Sequence, residues 1–306
     1  MAIDALALER ELIGLRELAA AKLADDPIPA GKEAERRLQA DIEKYDLKSE
    51  IADLETKGYA VIPPEKAAPM ELFDRIRAAI LRVAEADERE WRPGLGKTLQ
   101  HLLPRDPVFE EVLTSPVPLT LVTYMLGWRA KISQVTGLVK DTRTPPLTIH
   151  ADHSYKFPTP WPLTAQYCNL NWITGDYTRE NGAVCVWPGS HRWGRNVPPE
   201  LQQAHDHPDL EVLEVPKGSV IAWHGSLWHG ALPRTSEGQR VTLVMPFVRD
   251  HVQAQELYWA TVTPEMIERN PARFCTLVGL TSRTPWISQD FPLPATAGTP
   301  NGSQWE

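Results

Sequence analysis

Cysteine is scarce in this chain of 306 residues, which holds only three. Cys168, Cys185 and Cys275 are widely spaced and form no Cys-x-x-Cys pair, so the sequence contains neither a disulfide framework nor a zinc-binding cysteine motif. We therefore expect the thiols to be reduced. Cys168 and Cys185 lie in strand-like segments and are expected to be small buried hydrophobic residues.

The chain also has fewer basic than acidic residues, with 32 lysines and arginines and 40 aspartates and glutamates. This balance argues against broad binding to nucleic acid or to an anionic membrane, since either normally requires a basic patch. No apolar run approaches the roughly 20 residues that span a bilayer, and the N-terminus lacks the basic start and apolar centre of a signal peptide. The sequence predicts a cytoplasmic protein with no nucleic-acid partner and no membrane span.

Two histidines and one carboxylate form the most informative pattern that is present. His150 and Asp152 stand two residues apart, and such residues project to the same face of a β-strand, so the pair can bind one ion. His229 lies far downstream, so a closed tertiary fold must return the chain to the site. Three protein ligands leave three octahedral positions open, as in non-haem Fe(II) oxygenases. Arg240 supplies a planar fork that suits a carboxylate.

Further short motifs stand in a fixed order around this pattern. They are Glu180-Asn181-Gly182, Trp187-Pro188-Gly189-Ser190-His191, Gly218-Ser219-Val220 and Trp228-His229-Gly230. Taken with the histidine, aspartate and arginine positions, they resemble the phytanoyl-CoA dioxygenase family over residues 58–247. The resemblance implies a jelly-roll core and an enzyme that depends on Fe(II), with 2-oxoglutarate and O₂ as co-substrates and a small molecule as substrate.

The resemblance implies a role for each matching residue. His150, Asp152 and His229 would bind the iron. Arg240 would bind the distal carboxylate of 2-oxoglutarate. His224 is the main rival for the distal histidine ligand, but only His229 has an arginine at the expected distance.

Four further positions carry weaker expectations. Thr242 shares a strand face with Arg240 and is expected to help bind 2-oxoglutarate, although an ordinary strand threonine explains it equally well. Asn171 and Gln134 match positions at which family members contact the co-substrate. Ala231 departs from the pattern, because some members have a serine there. The iron-binding carboxylate that related halogenases lose is retained, which favours hydroxylation or desaturation over halogenation.

Helices precede a block of short strands along the chain. Residues 1–55 predict two helices, residues 58–63 a strand and residues 69–86 an amphipathic helix. From 131 to 249, short β-rich runs separated by proline and glycine predict a mainly-β fold with flanking helices, whose core is a double-stranded β-helix of the jelly-roll, cupin-like type. A helix is expected over residues 264–274.

The chain is expected to form one domain overall. Its predicted parts are an N-terminal helical extension (1–55), a jelly-roll oxygenase core with buttressing helices (56–250) and a C-terminal helix followed by a tail (251–306). The end from residue 292 is rich in proline, glycine, serine and threonine, which predicts disorder. The N-terminal helices offer a surface for a homodimer contact.

The strongest functional hypothesis is an oxygenase that hydroxylates a small or medium lipophilic molecule, such as a secondary metabolite or a fatty-acid derivative, because several of the eleven tryptophans cluster near the site. A phytanoyl-CoA-like acyl-CoA hydroxylase is less favoured, since no long basic run is present for the phosphates. A metal-dependent cupin enzyme that does not use 2-oxoglutarate conflicts with Arg240, and a silent binding protein conflicts with the intact ligand set. Release of succinate and CO₂ separates the oxygenases from the last two.

Overall fold

Two antiparallel β-sheets enclose a cavity in the protein, of which the computed structural model describes residues 5–89 and 96–282. The strands are β1 Tyr59–Ile62, β2 Lys97–Leu99, β3 Lys131–Ile132, β4 Thr136–Lys140, β5 Leu147–His150, β6 Tyr167–Ile173, β7 Val184–Val186, β8 Glu211–Val212, β9 Val220–His224, β10 His229–Ala231 and β11 Arg240–Val248. Within the described residues, the larger sheet has the order β1-β9-β6-β11-β4-β2, with β3 beside β11, and the smaller has the order β5-β10-β7-β8. The predicted jelly-roll core is confirmed.

Helices pack against the larger sheet. They are α1 Ala5–Asp25, α2 Gly31–Lys44, α3 Lys48–Lys57, α4 Pro64–Ala67, α5 Met70–Glu85, α6 Val108–Leu113, α7 Pro116–Leu126, α8 Pro264–Arg269 and α9 Ala272–Leu277. Helix α5 buries Leu72, Ile76 and Ile80 on one face and contacts β11, as its apolar spacing predicts. Helix α1 contacts α8 and α9, so the two ends of the described chain share one hydrophobic core. No helix in the described residues is long and apolar enough to cross a membrane.

Two helix predictions were wrong in detail. The N-terminal region holds three helices, because the chain breaks between α2 and α3 at Asp46, whose φ of 50° lies in the left-handed region and ends the helix. The helix predicted over 264–274 is divided into α8 and α9 at Pro271, which has no N–H to continue the hydrogen-bond ladder. The predicted disorder from residue 292 lies outside the described residues.

Alternation along the central strands separates the core from the cavity. In β11, Val241, Leu243 and Met245 point into the hydrophobic core. Their neighbours point the other way, and the cavity-lining residues of β4, β6 and β11 are Thr136, Leu138, Lys140, Tyr167, Asn169, Asn171, Arg240, Val244 and Pro246. The alternation of side chains along these strands therefore builds both the core and the wall of the cavity.

Candidate metal centre and co-substrate pocket

His150, Asp152 and His229 come together in the cavity, which has a volume of about 540 Å³. His150 ends β5 and His229 begins β10, and the two are register partners. Oδ1 of Asp152 lies 4.0 Å from Nε2 of His150 and 3.9 Å from Nε2 of His229. These distances are too long for hydrogen bonds, and the three ligand atoms lie within 4.8 Å of one another, close enough to hold one metal ion together.

Asp152 reaches the site from a turn and not from a strand. Strand β5 ends at His150, and Asp152 opens a 3₁₀ turn over Asp152–Tyr155. Ala151 keeps an extended conformation, with φ −127° and ψ 141°, so the histidine and the aspartate still project to one side. The prediction that both residues share a strand is wrong, but the extended linkage between them has the same effect.

Backbone carbonyls orient both histidine rings. Nδ1 of His150 lies 2.8 Å from the Thr148 carbonyl oxygen, and Nδ1 of His229 lies 3.0 Å from that of Leu227. Because a carbonyl oxygen can only accept, each Nδ1 carries the proton and donates it, which leaves the Nε2 lone pair for a metal. Burial, and then the neighbouring His229, lower the pKa of His150 to about 4, so this ring is neutral at neutral pH.

Trp223 orients the carboxylate. Its Nε1 donates to Oδ2 of Asp152 at 3.1 Å, which turns Oδ1 toward the two histidine Nε2 atoms. Its ring also lies beside His229, with 4.9 Å between the ring centroids. The sequence does not show which of several tryptophans contacts the triad. The pairing of β9 with β6, in which Trp223 is the register partner of Asn169, identifies Trp223.

We expect Trp223→Phe to weaken metal binding about 10- to 100-fold, because loss of an outer-shell partner of a metal ligand typically has an effect of this size. Phenylalanine keeps the aromatic packing and removes the N–H donor to Asp152. Anaerobic titration with Fe(II) measures the affinity. Trp161→Phe is the matched control, since the Trp161 indole is buried and donates to the Phe157 carbonyl at 3.2 Å. Equal affinities in the two variants would contradict the role of Trp223.

Arg240 is a buried cation with no carboxylate partner among the described residues. Its guanidinium carbon lies 4.4 Å from the centre of the Tyr177 ring, and Nη1 donates to the Gly182 carbonyl. Nε has no hydrogen-bond partner. Burial lowers the pKa of Arg240, but an arginine remains charged at neutral pH. The cavity wall therefore presents an uncompensated positive charge that suits an anion.

Lys140 adds a second cation that the sequence analysis missed. It is the register partner of Arg240, and its Nζ donates to the Leu232 carbonyl. Burial, and then the charge of Arg240, lower the pKa of Lys140 to about 7. The available signal was the alternation of β4, since Lys140 falls on the same strand face as Thr136 and Leu138, and this face lines the cavity.

The weaker sequence expectations fall in different places. Asn171 and Gln134 line the cavity, and the Asn171 Oδ1 is buried without a hydrogen-bond partner. Thr242 is buried and is not among the described residues that line the cavity. Its Oγ1 lies 2.7 Å from the hydroxyl of Tyr177, whose ring stacks on Arg240. Thr242 thus contacts the arginine through Tyr177.

His224 lies apart from the triad, in a second group of buried histidines. Its ring centroid is 5.6 Å from that of His153 and 5.5 Å from that of His191. Its Nδ1 accepts from the backbone N–H of Ser226 at 3.0 Å. Within the described residues, the side chains close enough to hold a metal together are those of the triad. The fold brings His229, and not His224, to the aspartate.

Comparison with known proteins establishes the family. The family model described as "Phytanoyl-CoA dioxygenase (PhyH)" matches residues 54–242, which is more than half of the chain. The chain belongs to the phytanoyl-CoA dioxygenase family. It is accordingly an enzyme of the dioxygenase class, as the sequence resemblance implies.

Relatives of this phytanoyl-CoA dioxygenase family member include fungal and bacterial proteins. Dioxygenase af480 of Aspergillus fumigatus is 26% identical over 228 residues, which cover 71% of this chain and 72% of the relative. HygX from Streptomyces hygroscopicus, crystallised with nickel and 2-oxoglutarate, superposes with a TM-score of 0.55 at 17% identity, over 68% of this chain and 88% of HygX. The alpha-ketoglutarate-dependent carbocyclase SnoK from nogalamycin biosynthesis gives a TM-score of 0.55 at 19% identity, over 71% of this chain and 91% of SnoK. The likeness to HygX and SnoK shows a shared fold.

Proposed function

We propose that this dioxygenase uses Fe(II), 2-oxoglutarate and O₂ to hydroxylate a small molecule. One observation carries the proposal: a single cavity contains both the triad His150, Asp152 and His229 and the buried cation Arg240. The triad suits one metal ion, and the cation suits one end of a dicarboxylate. A metal-dependent cupin that does not use 2-oxoglutarate would have no need of the second feature.

The residues of the triad fit iron. His150, Asp152 and His229 would hold it, since both histidine Nε2 lone pairs and one carboxylate oxygen are available and lie within 4.8 Å of one another. Three protein ligands leave room for a chelating co-substrate and O₂. Bound iron would supply the activation of O₂, coupled to the conversion of 2-oxoglutarate into succinate and CO₂.

The protein's own contribution is to bind and orient the co-substrate. Arg240 binds the distal carboxylate through parallel hydrogen bonds from its fork, which Tyr177 and the Gly182 carbonyl hold in place. Lys140 adds positive charge beside it. Asn171 and Gln134 line the same cavity and are proposed to contact the co-substrate.

Anaerobic titration of the Fe(II)-loaded protein with 2-oxoglutarate tests the proposal. Chelation is expected to produce a weak visible metal-to-ligand charge-transfer band. Bound iron without a band would favour cupin chemistry without 2-oxoglutarate. Failure to bind iron would favour a silent binding protein.

We expect the affinity for 2-oxoglutarate to fall as the pH rises above about 7, the lowered pKa of Lys140. Below that pH Lys140 is already protonated and the full attraction is present; above it, binding of the dianion must draw a proton onto the lysine. Isothermal titration across this range, with Zn(II) in place of iron, measures the slope. Lys140→Met should flatten it, whereas Lys48→Met removes an exposed charge and should not. An unchanged slope in Lys140→Met would contradict the assignment.

A further inference from the structure

Strand pairing gives the order of the lining residues along the cavity. Arg240 and Lys140 are register partners at one end of the pairing between β11 and β4. Further along β11, Pro246 is the partner of Asn169, and Asn169 is the partner of Trp223. Because Trp223 donates to the aspartate of the triad, the triad lies level with Asn169 and away from the two cations. We call the part of the cavity between the cations and the triad the co-substrate compartment, and the part beyond the triad the second compartment.

Most of the apolar lining belongs to the co-substrate compartment. These side chains are Leu138, Leu147, Val184, Ala231 and Val244. The Lys140 Nζ donates to the Leu232 carbonyl and Arg240 donates to the Gly182 carbonyl, which places the end of β10 and the start of β7 beside the cations. The leucine and valine side chains beside the cations suit the methylene groups of 2-oxoglutarate. Bound 2-oxoglutarate would therefore cover most of the apolar surface of the cavity.

Amides, a phenol and a cation line the second compartment. They are Gln100, Tyr155, Lys156, Asn169 and Gln255. The Tyr155 ring meets the His150 ring edge-on, with 6.0 Å between centroids, which places the start of this compartment beside the triad. The Tyr167 hydroxyl donates to Oε1 of Gln255 at 3.4 Å, which leaves the Gln255 amide N–H groups to a ligand.

A buried polar atom in this wall lacks a partner. Asn169 is 5% exposed, and its Oδ1 makes no hydrogen bond. Buried polar groups are nearly always satisfied, so this atom indicates a ligand that has a hydrogen-bond donor. A hydrocarbon chain would leave it unsatisfied.

Lys156 is the cation of the second compartment; it forms no ion pair with a carboxylate among the described residues, and Asp152 acts on its charge from a longer distance. Its Nζ lies 5.8 Å from the centre of the Tyr167 ring and 3.5 Å from the Gln253 carbonyl oxygen. Asp152 supplies the carboxylate among the described residues that line the cavity, and a metal would engage it. The charge of Lys156 is therefore available to an anionic group of the substrate.

We infer that the substrate is a small polar molecule that carries several hydrogen-bonding groups and one carboxylate, and that Lys156 binds this carboxylate. The inference rests on the proposed function and names the substrate class for it. It replaces the lipophilic substrate expected from the tryptophans. Among the described residues Trp223 is the tryptophan that lines the cavity, and its N–H is committed to Asp152.

Binding of three matched probes to the protein loaded with Ni(II) and 2-oxoglutarate tests the inference. The probes are gluconate (a polyhydroxylated carboxylate), gluconamide (its neutral counterpart) and octanoate (an apolar carboxylate), and isothermal titration measures their affinities. Gluconate is expected to bind at least about tenfold more tightly than either of the others. Lys156→Met should remove the difference between gluconate and gluconamide, Lys156→Arg should restore it, and Lys48→Met should leave it unchanged.

Three results would overturn the inference: tighter binding of octanoate than of gluconate, equal binding of gluconate and gluconamide, or no binding of gluconate up to its solubility limit. Asn169→Leu provides a second variant and should weaken gluconate and gluconamide alike while sparing octanoate. The titrations are repeated without 2-oxoglutarate, so their result does not depend on co-substrate binding. Absence of the iron charge-transfer band would overturn the proposed function. The three results above would overturn the substrate class.

Discussion

Asp152→Ala is expected to abolish stoichiometric iron binding and, with it, turnover. The change removes one of three ligands and leaves two histidines and an indole N–H with no acceptor. Loss of an outer-shell partner alone weakens metal binding about 10- to 100-fold, so loss of a ligand should weaken it by more than about 100-fold. Metal analysis after anaerobic gel filtration gives the stoichiometry, and 2-oxoglutarate-dependent succinate release gives the turnover.

The fold should survive this change, because Asp152 lies in a turn at the cavity wall and not in the hydrophobic core. Thermal unfolding of the metal-free protein checks this point. Asp209→Ala is a matched control, since Asp209 is exposed and its nearest basic group is His207, 3.9 Å away. His150→Ala should behave like Asp152→Ala. Full iron stoichiometry in both variants would refute the metal centre.

Arg240→Met is expected to separate co-substrate binding from metal binding. Truncating one partner of a buried, hydrogen-bonded charge pair costs about 2–5 kcal/mol, and each 1.4 kcal/mol is about a factor of ten, so the apparent dissociation constant of 2-oxoglutarate should rise by at least about 30-fold. Iron affinity should hardly change, because Arg240 is not a member of the triad. The charge-transfer titration measures the first quantity, and metal analysis measures the second.

Methionine is chosen because it fills much of the same space and leaves no buried charge. Arg234→Met is the matched control: Arg234 is also buried, but it is absent from the cavity lining in the described residues. Loss of iron together with 2-oxoglutarate in Arg240→Met would indicate a general collapse of the site. An unchanged 2-oxoglutarate titration would show that another group anchors the distal carboxylate.

Local patterns in the sequence predicted helices before a block of short strands, and together with the family resemblance they predicted the jelly roll. The alternation of β11 predicted both a half-buried strand and the inward face that carries Arg240. Helix α5 follows from its apolar spacing. The break at Asp46 was missed because no proline or glycine marks it, and an aspartate adopts the left-handed region only occasionally.

Residues that act through strand pairing were not predictable in the same way. Trp223 and Lys140 each look like an ordinary strand residue, and their importance depends on which strand lies beside them. The pairing of β9 with β6, and of β4 with β11, joins segments that are far apart in the sequence. Such registers are set by packing of the whole fold, which no short window of sequence encodes.

The hydrogen bonds of the two histidine rings bear on how this centre can evolve. Their acceptors are main-chain oxygens at Thr148 and Leu227, and every amino acid supplies such an oxygen. Substitutions at those two positions therefore leave the acceptors in place. Asp152 differs, because its hydrogen-bond partner is the side chain of Trp223. Of these three hydrogen-bonding partners, Trp223 is therefore the one that a substitution can remove, and a mutant library that keeps the three ligands and seeks to change the metal preference should begin there.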